Sequence, residues 1–177
     1  MSSENLYSES LRAIHTDIDG TERYISPIGP IELLSSAGKI VFCHFTNGED
    51  GSTCIPNALT NACVTELSEY FAGKRKVFDI PLTYAGTDFQ RMVLHLVEKI
   101  PFGEVITYQD LAIRLDKPSG SRVIGNVIGR NPLLVLVPCH RILGQDGKIT
   151  GYAGGIDRKR WLLQHEMNLT RPLNRLF

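Results

Sequence analysis

Residues 133–141 read Leu133-Leu134-Val135-Leu136-Val137-Pro138-Cys139-His140-Arg141, and the rest of the chain is organised around them. The five apolar residues 133–137 predict a short strand buried on both faces. Pro138 has no N–H to donate to a neighbouring strand, so it would end the strand. A turn that carries a thiol, an imidazole and a guanidinium on consecutive residues should therefore follow.

The thiol of this predicted turn has two interpretations. A cysteine reacts as its thiolate, and an adjacent imidazole or cation lowers the thiol pKa and favours that form. A cysteine after an apolar run is more often a buried and unreactive packing residue. The turn alone does not decide whether the cysteine is reactive or unreactive. The other motifs of the chain are needed for that decision.

The composition is that of an ordinary globular protein. The chain has 177 residues, 42% of them hydrophobic and 21% charged, which fits one domain or two small ones. It lacks an apolar run of about 18 residues, and its polar N-terminus does not resemble a signal peptide. Its four cysteines, at positions 43, 54, 63 and 139, form no Cys-x-x-Cys pair. These features predict a reduced, cytoplasmic protein without a membrane span, or a nuclear one if the source is eukaryotic.

Positive charge is concentrated in the second half of a chain whose net charge is zero. Between residues 121 and 160, two acidic residues, Asp146 and Asp157, oppose seven cations. Such a stretch is typical of a surface that faces phosphates, although a solvated basic face would look the same. The cations are Arg122, Arg130, Arg141, Lys148, Arg158, Lys159 and Arg160.

The first half predicts a small antiparallel unit. Strands are expected at 24–26, 31–34, 40–45 and 77–82, a loop at 47–57, and a helix at 61–73 that Gly73 ends. Residues 81–86 are typical of a linker. The predicted organisation is an N-terminal tail that could be disordered (1–20), an N-terminal domain (21–85), a second domain (86–168) and a C-terminal tail (169–177).

The second half predicts helices. One begins at Thr87 or Asp88 and continues to residue 100, and the next begins at Thr107, whose side chain and that of Asp110 can form a capping box. A further helix runs from Ser121 towards Pro132, and two short helices joined by a tight turn form a helix-turn-helix. The last helix is expected at 158–165, with Glu166 at its end and Met167 beginning the tail.

The predicted helix after Ser121 has one nearly bare face, formed by Ser121, Gly125 and Gly129. Glycine inside a helix costs about 1 kcal/mol relative to alanine, so two of them suggest that something approaches the backbone closely. The helix could pack tightly on another element, or it could enter the DNA minor groove, about 6 Å wide. Arg122 and Arg130 flank the face, and Arg122 could insert into the base stack.

Six motifs in order give the chain a family resemblance. With them it resembles the O6-alkylguanine-DNA alkyltransferases from about Tyr24 to Glu166. This resemblance implies an α/β protein: a small antiparallel-sheet (ribonuclease H-like) domain followed by a mostly helical domain with a helix-turn-helix. The motifs are Pro-Phe-Gly-Glu-Val-Ile-Thr-Tyr (101–108), Arg122, Gly-Arg-Asn-Pro (129–132), Val-Pro-Cys-His-Arg (137–141), Gly-Tyr-Ala-Gly-Gly (151–155) and Trp-Leu-Leu-Gln-His-Glu (161–166).

The resemblance also implies a catalytic set. Cys139 would be the alkyl acceptor, activated through a water by His140, which Glu166 would orient much as the aspartate does in a serine protease triad. Asn131 would brace the turn around the acceptor. Tyr108 would stand beside a base flipped out of the duplex and supply a proton to the departing guanine.

The remaining implied residues contact DNA or the base. Two of the matching positions depart from common family patterns: Ala153 stands where serine is frequent, and Leu134 where some members have proline. The departures bear on the range of substrates and inhibitors.

The DNA-binding set that the resemblance implies is Arg122, Ser121, Gly125, Arg130 and Thr107. The implied substrate pocket is Val137, Pro138, Tyr152, Ala153 and Gly154.

No metal and no cofactor are predicted. Some family members hold zinc in the first domain, but Cys43, His44, Cys54 and Cys63 do not reproduce that spacing. Neighbouring residues such as Cys43 and His44 also point to opposite faces of a strand.

The resulting hypothesis is a single-turnover DNA repair protein that binds duplex DNA as a monomer through the minor groove. It would transfer the alkyl group of O6-alkylguanine irreversibly to Cys139, with O4-alkylthymine as a further substrate and cooperative assembly on DNA both left open. A lesion-binding sensor is the first alternative, although such proteins lack the acceptor cysteine. A cysteine hydrolase that uses Cys139, His140 and Glu166 is the second, and it leaves the helix-turn-helix without a purpose.

Overall fold

The chain divides into two compact units between Ala85 and Gly86. The structure, a computed structural model, describes residues 17–46 and 53–170. The first unit contains a three-stranded antiparallel sheet and a helix, and the second is mostly helical and contains the helix-turn-helix. The predicted fold class is thus confirmed. Within the described ranges no helix is long and apolar enough to cross a membrane.

The sheet of the first unit is a meander of β1 (Ile18–Ser26), β2 (Gly29–Ser36) and β3 (Lys39–Phe45). It contains the predicted strands at 24–26, 31–34 and 40–45. Residues 18–20 were assigned to the N-terminal tail, and this is wrong because they pair with β2. Hydrogen bonds to the Asp19 carboxylate, one of them 2.6 Å long from Ser35 Oγ, hold this polar stretch in the sheet. The tail up to residue 16 and residues 47–52 of the predicted loop lie outside the described residues.

Helix α1 (Ala58–Phe71) covers one face of the sheet. It begins three residues earlier than predicted because Asn57 caps it, accepting hydrogen bonds from the backbone N–H groups of Leu59 and Thr60. The side chains of Cys63, Leu67 and Phe71 are buried on its inner face. These side chains contribute to the apolar core of the first unit, together with buried residues of the sheet.

The strand predicted at 77–82 is wrong. Leu82 makes only an isolated bridge to Ile40, and residues 77–80 form a loop. Arg75 holds this loop through ion pairs with Glu69, at 2.7 Å, and Asp79, at 3.1 Å. Pro81 has no N–H to donate to a neighbouring strand, so the pairing of this stretch does not extend beyond the bridge at Ile40.

The second unit contains four helices in its described part: α2 (Asp88–Glu98), α3 (Tyr108–Arg114), α4 (Ser121–Ile128) and α5 (Ile156–Thr170). Thr87 caps α2, and Thr107 caps α3 in a capping box with Asp110, as predicted. Helix α4 ends at Ile128, short of the predicted limit. Helices α3 and α4, in contact and joined by residues 115–120, form the helix-turn-helix.

A two-residue parallel ladder ties the helix-turn-helix to the Cys139 turn. Strand β4 (Ile106–Thr107) directly precedes α3, and strand β5 (Ile142–Leu143) directly follows the 3-10 turn Cys139–Arg141. Ile106 pairs with Ile142, and Thr107 with Leu143. The ladder therefore brings the start of α3 next to the turn that carries the thiol.

The predicted strand at 133–137 is wrong, although its predicted burial is correct. Every residue of the stretch is at most 3% exposed, but the backbone folds back on itself, with a 2.8 Å hydrogen bond from Val137 N to Leu133 O. The side chain of Asn131 replaces a partner strand, since its oxygen accepts from Leu133 N and its nitrogen donates to Val137 O, both at 3.0 Å. Val135 turns the chain with a positive φ of 72°.

Helix α5 is longer than predicted. It extends from Ile156 to Thr170, so Glu166 lies inside the helix, and Met167, Leu169 and Thr170 are helical instead of part of a tail. The residues after 170 lie outside the described part of the chain. The inner face of α5 carries Lys159, Leu162, Leu163 and Glu166 at i, i+3, i+4 and i+7, all buried.

Candidate active site

The thiol of Cys139 lies in the 3-10 turn Cys139–Arg141 and is only 2% exposed. Asn131 Nδ2 donates to its Sγ at 3.1 Å, in addition to the bond to Val137 O that shapes the preceding loop. Asn131 is itself fully buried. The same amide thus closes the loop and holds the sulfur.

Burial raises the pKa of the Cys139 thiol to about 11, although the Asn131 hydrogen bond and the charge of Lys159 both act to lower it. At neutral pH the resting side chain is therefore a thiol. A reaction at Cys139 needs a base to remove the proton, or a neighbour that stabilises the thiolate as it forms.

His140 is the base that the structure offers. Its ring is fully buried, and Nε2 lies 2.8 Å from Glu166 Oε1. Burial lowers the pKa of His140, against the opposing effect of Glu166, so the ring is neutral at pH 7. A neutral ring that donates from Nε2 has its lone pair on Nδ1, and Nδ1 is buried without a hydrogen-bond partner among the described residues.

Glu166 is the centre of a buried ionic network. Arg141 donates to both of its oxygens, from Nη2 to Oε1 and from Nε to Oε2, each at 2.9 Å, and the backbone N–H of Gly103 donates to Oε2 at 3.0 Å. Burial alone would raise the pKa of this carboxyl, but the hydrogen bonds and charges of His140 and Arg141 lower it well below its usual range. Glu166 is therefore an anion that fixes the imidazole and can stabilise its protonated form.

Lys159 places a second cation beneath the turn. The residue is 0% exposed, and Nζ donates to the carbonyl of Ile142, directly after the turn, at 2.6 Å. Burial lowers the pKa of Lys159 to about 8, and the negative charge of a Cys139 thiolate would oppose that shift. An ammonium group in this position favours the thiolate over the thiol.

An open cavity of about 640 Å³ lies between α4 and the loop before α5. Burial raises the pKa of the Tyr108 phenol, as does the nearby charge of a Cys139 thiolate, so the phenol stays protonated and can donate. Cys139 does not line the cavity, but the β4–β5 ladder brings Tyr108, at the start of α3, next to the turn that carries the thiol. The lining residues are Tyr108, Ser121, Arg122, Gly125, Asn126, Gly129, Thr150, Gly151, Tyr152 and Ala153.

Part of the predicted DNA-binding set lies on α4 and directly after it. Arg122 and Arg130 are exposed. A Cβ added to Gly125 would meet only Tyr108, at 3.8 Å, which is an ordinary contact, so packing does not require glycine there. Ser121 donates to Gln109 Oε1, and the Thr107 hydroxyl is engaged in capping α3.

The structure brings the predicted residues together in two groups. The first group belongs to the turn and its network and contains Asn131, Val137, Pro138, Cys139, His140 and Glu166. The second group lines the cavity and contains Tyr108, Ser121, Arg122, Gly125, Tyr152 and Ala153. Thr107, Arg130 and Gly154 belong to neither group.

Sequence reasoning counted Arg141 and Lys159 among the cations of a phosphate-facing or solvated surface, which is wrong because both are buried. It assigned no role in the site to Asn126 or Thr150. For Lys159 a signal was present, because its spacing to Leu162, Leu163 and Glu166 follows the buried face of a helix. The charged neighbours Arg158 and Arg160 concealed that spacing. Arg141 had a signal as well, since it directly follows His140. For Asn126 and Thr150 the sequence contains no comparable signal.

The fold and the site define a class of protein that combines a helix-turn-helix with a buried cysteine, a neutral histidine and an anionic glutamate. Residues 88–168 match the family model of the 6-O-methylguanine DNA methyltransferase DNA-binding domain, and residues 22–84 match its ribonuclease-like domain. The chain therefore belongs to the 6-O-methylguanine DNA methyltransferase family.

Individual relatives agree with the family models. A methylated-DNA–protein-cysteine methyltransferase of Methanosarcina barkeri is 38% identical over 82% of this chain and 96% of its own length. An inducible one of Bacillus subtilis is 46% identical over 82% and 78%. The crystal structure of Mycobacterium tuberculosis O6-methylguanine methyltransferase superposes with a TM-score of 0.78 at 36% identity, covering 87% of this chain and 95% of the other. A complex of the M. tuberculosis protein with DNA gives a TM-score of 0.76 at 36% identity, covering 84% and 93%.

Proposed function

We propose that this chain repairs DNA by direct reversal, taking the alkyl group of O6-alkylguanine onto Sγ of Cys139. A sulfur–carbon bond forms while the bond between that carbon and O6 breaks. The electron pair of the broken bond stays on guanine, and the proton of the thiol replaces the alkyl group on the base. Because the thioether has no route back to a thiol, each molecule acts once.

The observation that carries this proposal is the buried Cys139 turn with its hydrogen-bonded partners, in a chain that belongs to this family. His140 takes the thiol proton at Nδ1 through one water, and the anionic Glu166 stabilises the imidazolium that results. Asn131 Nδ2 and the Lys159 ammonium stabilise the thiolate. The protonated phenol of Tyr108 supplies a proton to the departing base, and the proton that His140 took from the thiol restores the phenol, so the net transfer is from the thiol to the base.

The cavity beside α4 supports extrusion of the base from duplex DNA. An alkyl group on O6 cannot meet a buried sulfur while its base is stacked, so the base must leave the helix. The bare surface at Gly125 lets α4 enter the minor groove, and the exposed Arg122 fills the space that the base leaves. The base contacts Val137, Pro138, Tyr152, Ala153 and Gly154. The DNA backbone contacts Ser121, Thr107 and Arg130. The protein acts as a monomer inside the cell.

Intact-protein mass spectrometry after mixing with a duplex that holds one O6-methylguanine tests the proposal. The expected result is one added methyl group per protein, saturating at one. Cys139→Ala should bind the duplex and gain no mass, and Cys63→Ala, the control at a buried cysteine of the first unit, should react like the wild type. Tight binding of the lesion by the wild type without any mass change would favour the sensor. Methyl transfer by Cys139→Ala would refute the proposal.

A further inference from the structure

The hydroxyl of Thr150, in the cavity wall, has no role in the account so far. The hydroxyl oxygen of Thr150 is buried and makes no hydrogen bond within the described part of the chain. Leaving such a group unpaired is costly, and native structures rarely do so without a reason. Because Thr150 lines the cavity with Tyr108, Tyr152 and Ala153, a ligand in that cavity is the natural partner for its hydroxyl.

The packing of Thr150 fixes the direction of its side chain. Its Cγ2 methyl lies over Gly144, where an added Cβ would come within 3.1 Å of it. Threonine is stiff about χ1, so a methyl held on one side directs the hydroxyl to another. The hydroxyl lies beside the Tyr108 phenol and acts to lower its pKa, although no well-formed hydrogen bond joins them.

The other hydroxyls of the cavity wall are less suited to this task. Ser121 already donates to Gln109 at 2.9 Å, and the phenol of Tyr108 serves the proton supply proposed above. The third is the phenol of Tyr152, whose large ring packs edge-on against the His140 ring. Position 153, next to Tyr152, carries only a methyl group. Thr150 is therefore the small hydroxyl that remains to meet the polar edge of a base.

We infer that Thr150 donates a hydrogen bond to O6 of the extruded alkylguanine, an inference that rests on the proposed function. As the bond from the alkyl carbon to O6 breaks, O6 gains negative charge. A fixed donor at that oxygen stabilises the transition state more than the bound substrate. The hydroxyl keeps its proton throughout, so the balance of the reaction is unchanged.

The test compares Thr150→Ser and Thr150→Ala, which differ by one oxygen atom. The measurement is the rate constant of methyl transfer in a single turnover at saturating duplex, together with the Kd for the same duplex. Loss of a hydrogen bond to a developing charge should slow Thr150→Ala by about 10-fold or more, while Thr150→Ser stays within about 2-fold of the wild type. The isosteric Thr150→Val should behave like Thr150→Ala, and Kd should change little.

Three results would overturn the inference. The first is an equal rate of methyl transfer for Thr150→Ser and Thr150→Ala. The second is a weaker Kd for the duplex in Thr150→Ala with an unchanged rate of transfer. The third is a rate difference between the two variants that disappears on 7-deaza-O6-methylguanine, because this would place the hydrogen bond at N7. A wild type that transfers no methyl group would instead refute the proposed function. The two failures are thus distinguishable.

Discussion

Two buried cysteines, one in each unit, have nearly the same exposure and different surroundings. Cys63 on α1 is 0% exposed and Cys139 is 2% exposed, and burial raises both pKa values, to about 12 and about 11. The charges near Cys63 are the carboxylates Glu66 and Glu22, which raise its pKa further. Cys139 instead has the Asn131 amide and the Lys159 ammonium, which lower it. Burial alone makes a thiol unreactive, and the donors around it decide whether it can become a nucleophile.

The surroundings of the two cysteines also differ in the side chains that are buried there. The face of α1 against the sheet is mainly apolar, with Cys63, Leu67, Tyr70 and Phe71. Around Cys139 the second unit buries Asn131, His140, Arg141, Lys159 and Glu166. Buried ions stabilise a protein little, and removing one partner is strongly destabilising. Their presence beneath one turn therefore indicates a function instead of a contribution to stability.

Removing the charge of Glu166 should break this contrast most strongly. Glu166→Gln leaves Arg141 buried without its anion, so we expect the free energy of unfolding to fall by about 3–5 kcal/mol. Methyl transfer should slow by at least about 100-fold, because the imidazolium loses its stabilising charge. Urea titration and single-turnover kinetics measure the two effects.

The control for this change is Glu69→Gln in the first unit, where Glu69 pairs with Arg75 at 2.7 Å but is 41% exposed. That pair should contribute only about 0–1 kcal/mol. Equal losses of stability in the two variants would contradict the account.

Asn131→Ala should have the next largest effect. It removes the bonds to Leu133 N, Val137 O and Cys139 Sγ and leaves buried groups unpaired, which should cost about 3 kcal/mol. Asn57→Ala, which removes the N-cap of α1, should cost about 1 kcal/mol. If thermal unfolding showed the same loss for both, the Asn131 side chain would not be what holds the loop.

Lys159→Met should separate activity from stability. Without the cation the pKa of Cys139 rises, and methyl transfer at pH 7 should slow by about 10-fold. Stability should not fall, because a buried charge is removed.

The pH dependence of that stability difference has a definite sign. The folded-state pKa of Lys159, about 8, lies below the ordinary value of 10.5 for a lysine. Below pH 8 the buried charge of Lys159 therefore lowers the free energy of unfolding of the wild type by its full amount. This loss of stability disappears as the pH rises towards 10.5. The advantage of Lys159→Met in urea titrations should shrink over that interval, and an advantage that grew with pH would contradict the assignment.

The smallest expected effect is at Cys63. Glu66→Gln removes a neighbouring negative charge and should lower the pKa of Cys63 by about one unit or less. The pH profile of iodoacetamide labelling at Cys63 measures this shift. Methyl transfer should not change, and slower transfer would show that the first unit affects the reaction.

Much of this site followed from sequence because its elements are local. Thr107 and Asp110 form the capping box that starts α3, and Cys139 and His140 share one turn, so spacing alone placed them. The loop at 133–137 was not predictable as a loop. The Asn131 side chain supplies the hydrogen bonds that a partner strand would give, and apolar content reports burial without reporting backbone shape.

The ionic network required the structure because its contacts are distant in sequence. Glu166 meets His140 and Arg141 across more than twenty residues, at 2.8 and 2.9 Å. The family resemblance implied the first contact and gave no indication of the second. Lys159 was hidden for a different reason, since a lysine between two arginines is typical of a solvated face, yet α5 turns it inward.

The most direct test of the central claim is to locate the methyl group among all four cysteines of one sample. The wild type is mixed with an excess of duplex that holds one O6-methylguanine, digested, and mapped by mass spectrometry. We expect methylation of Cys139 alone, with the buried Cys43 and Cys63 and the exposed Cys54 unmodified. A methyl group on Cys63 or Cys54, or one shared among several cysteines, would contradict the claim that the surroundings of Cys139 make it the acceptor.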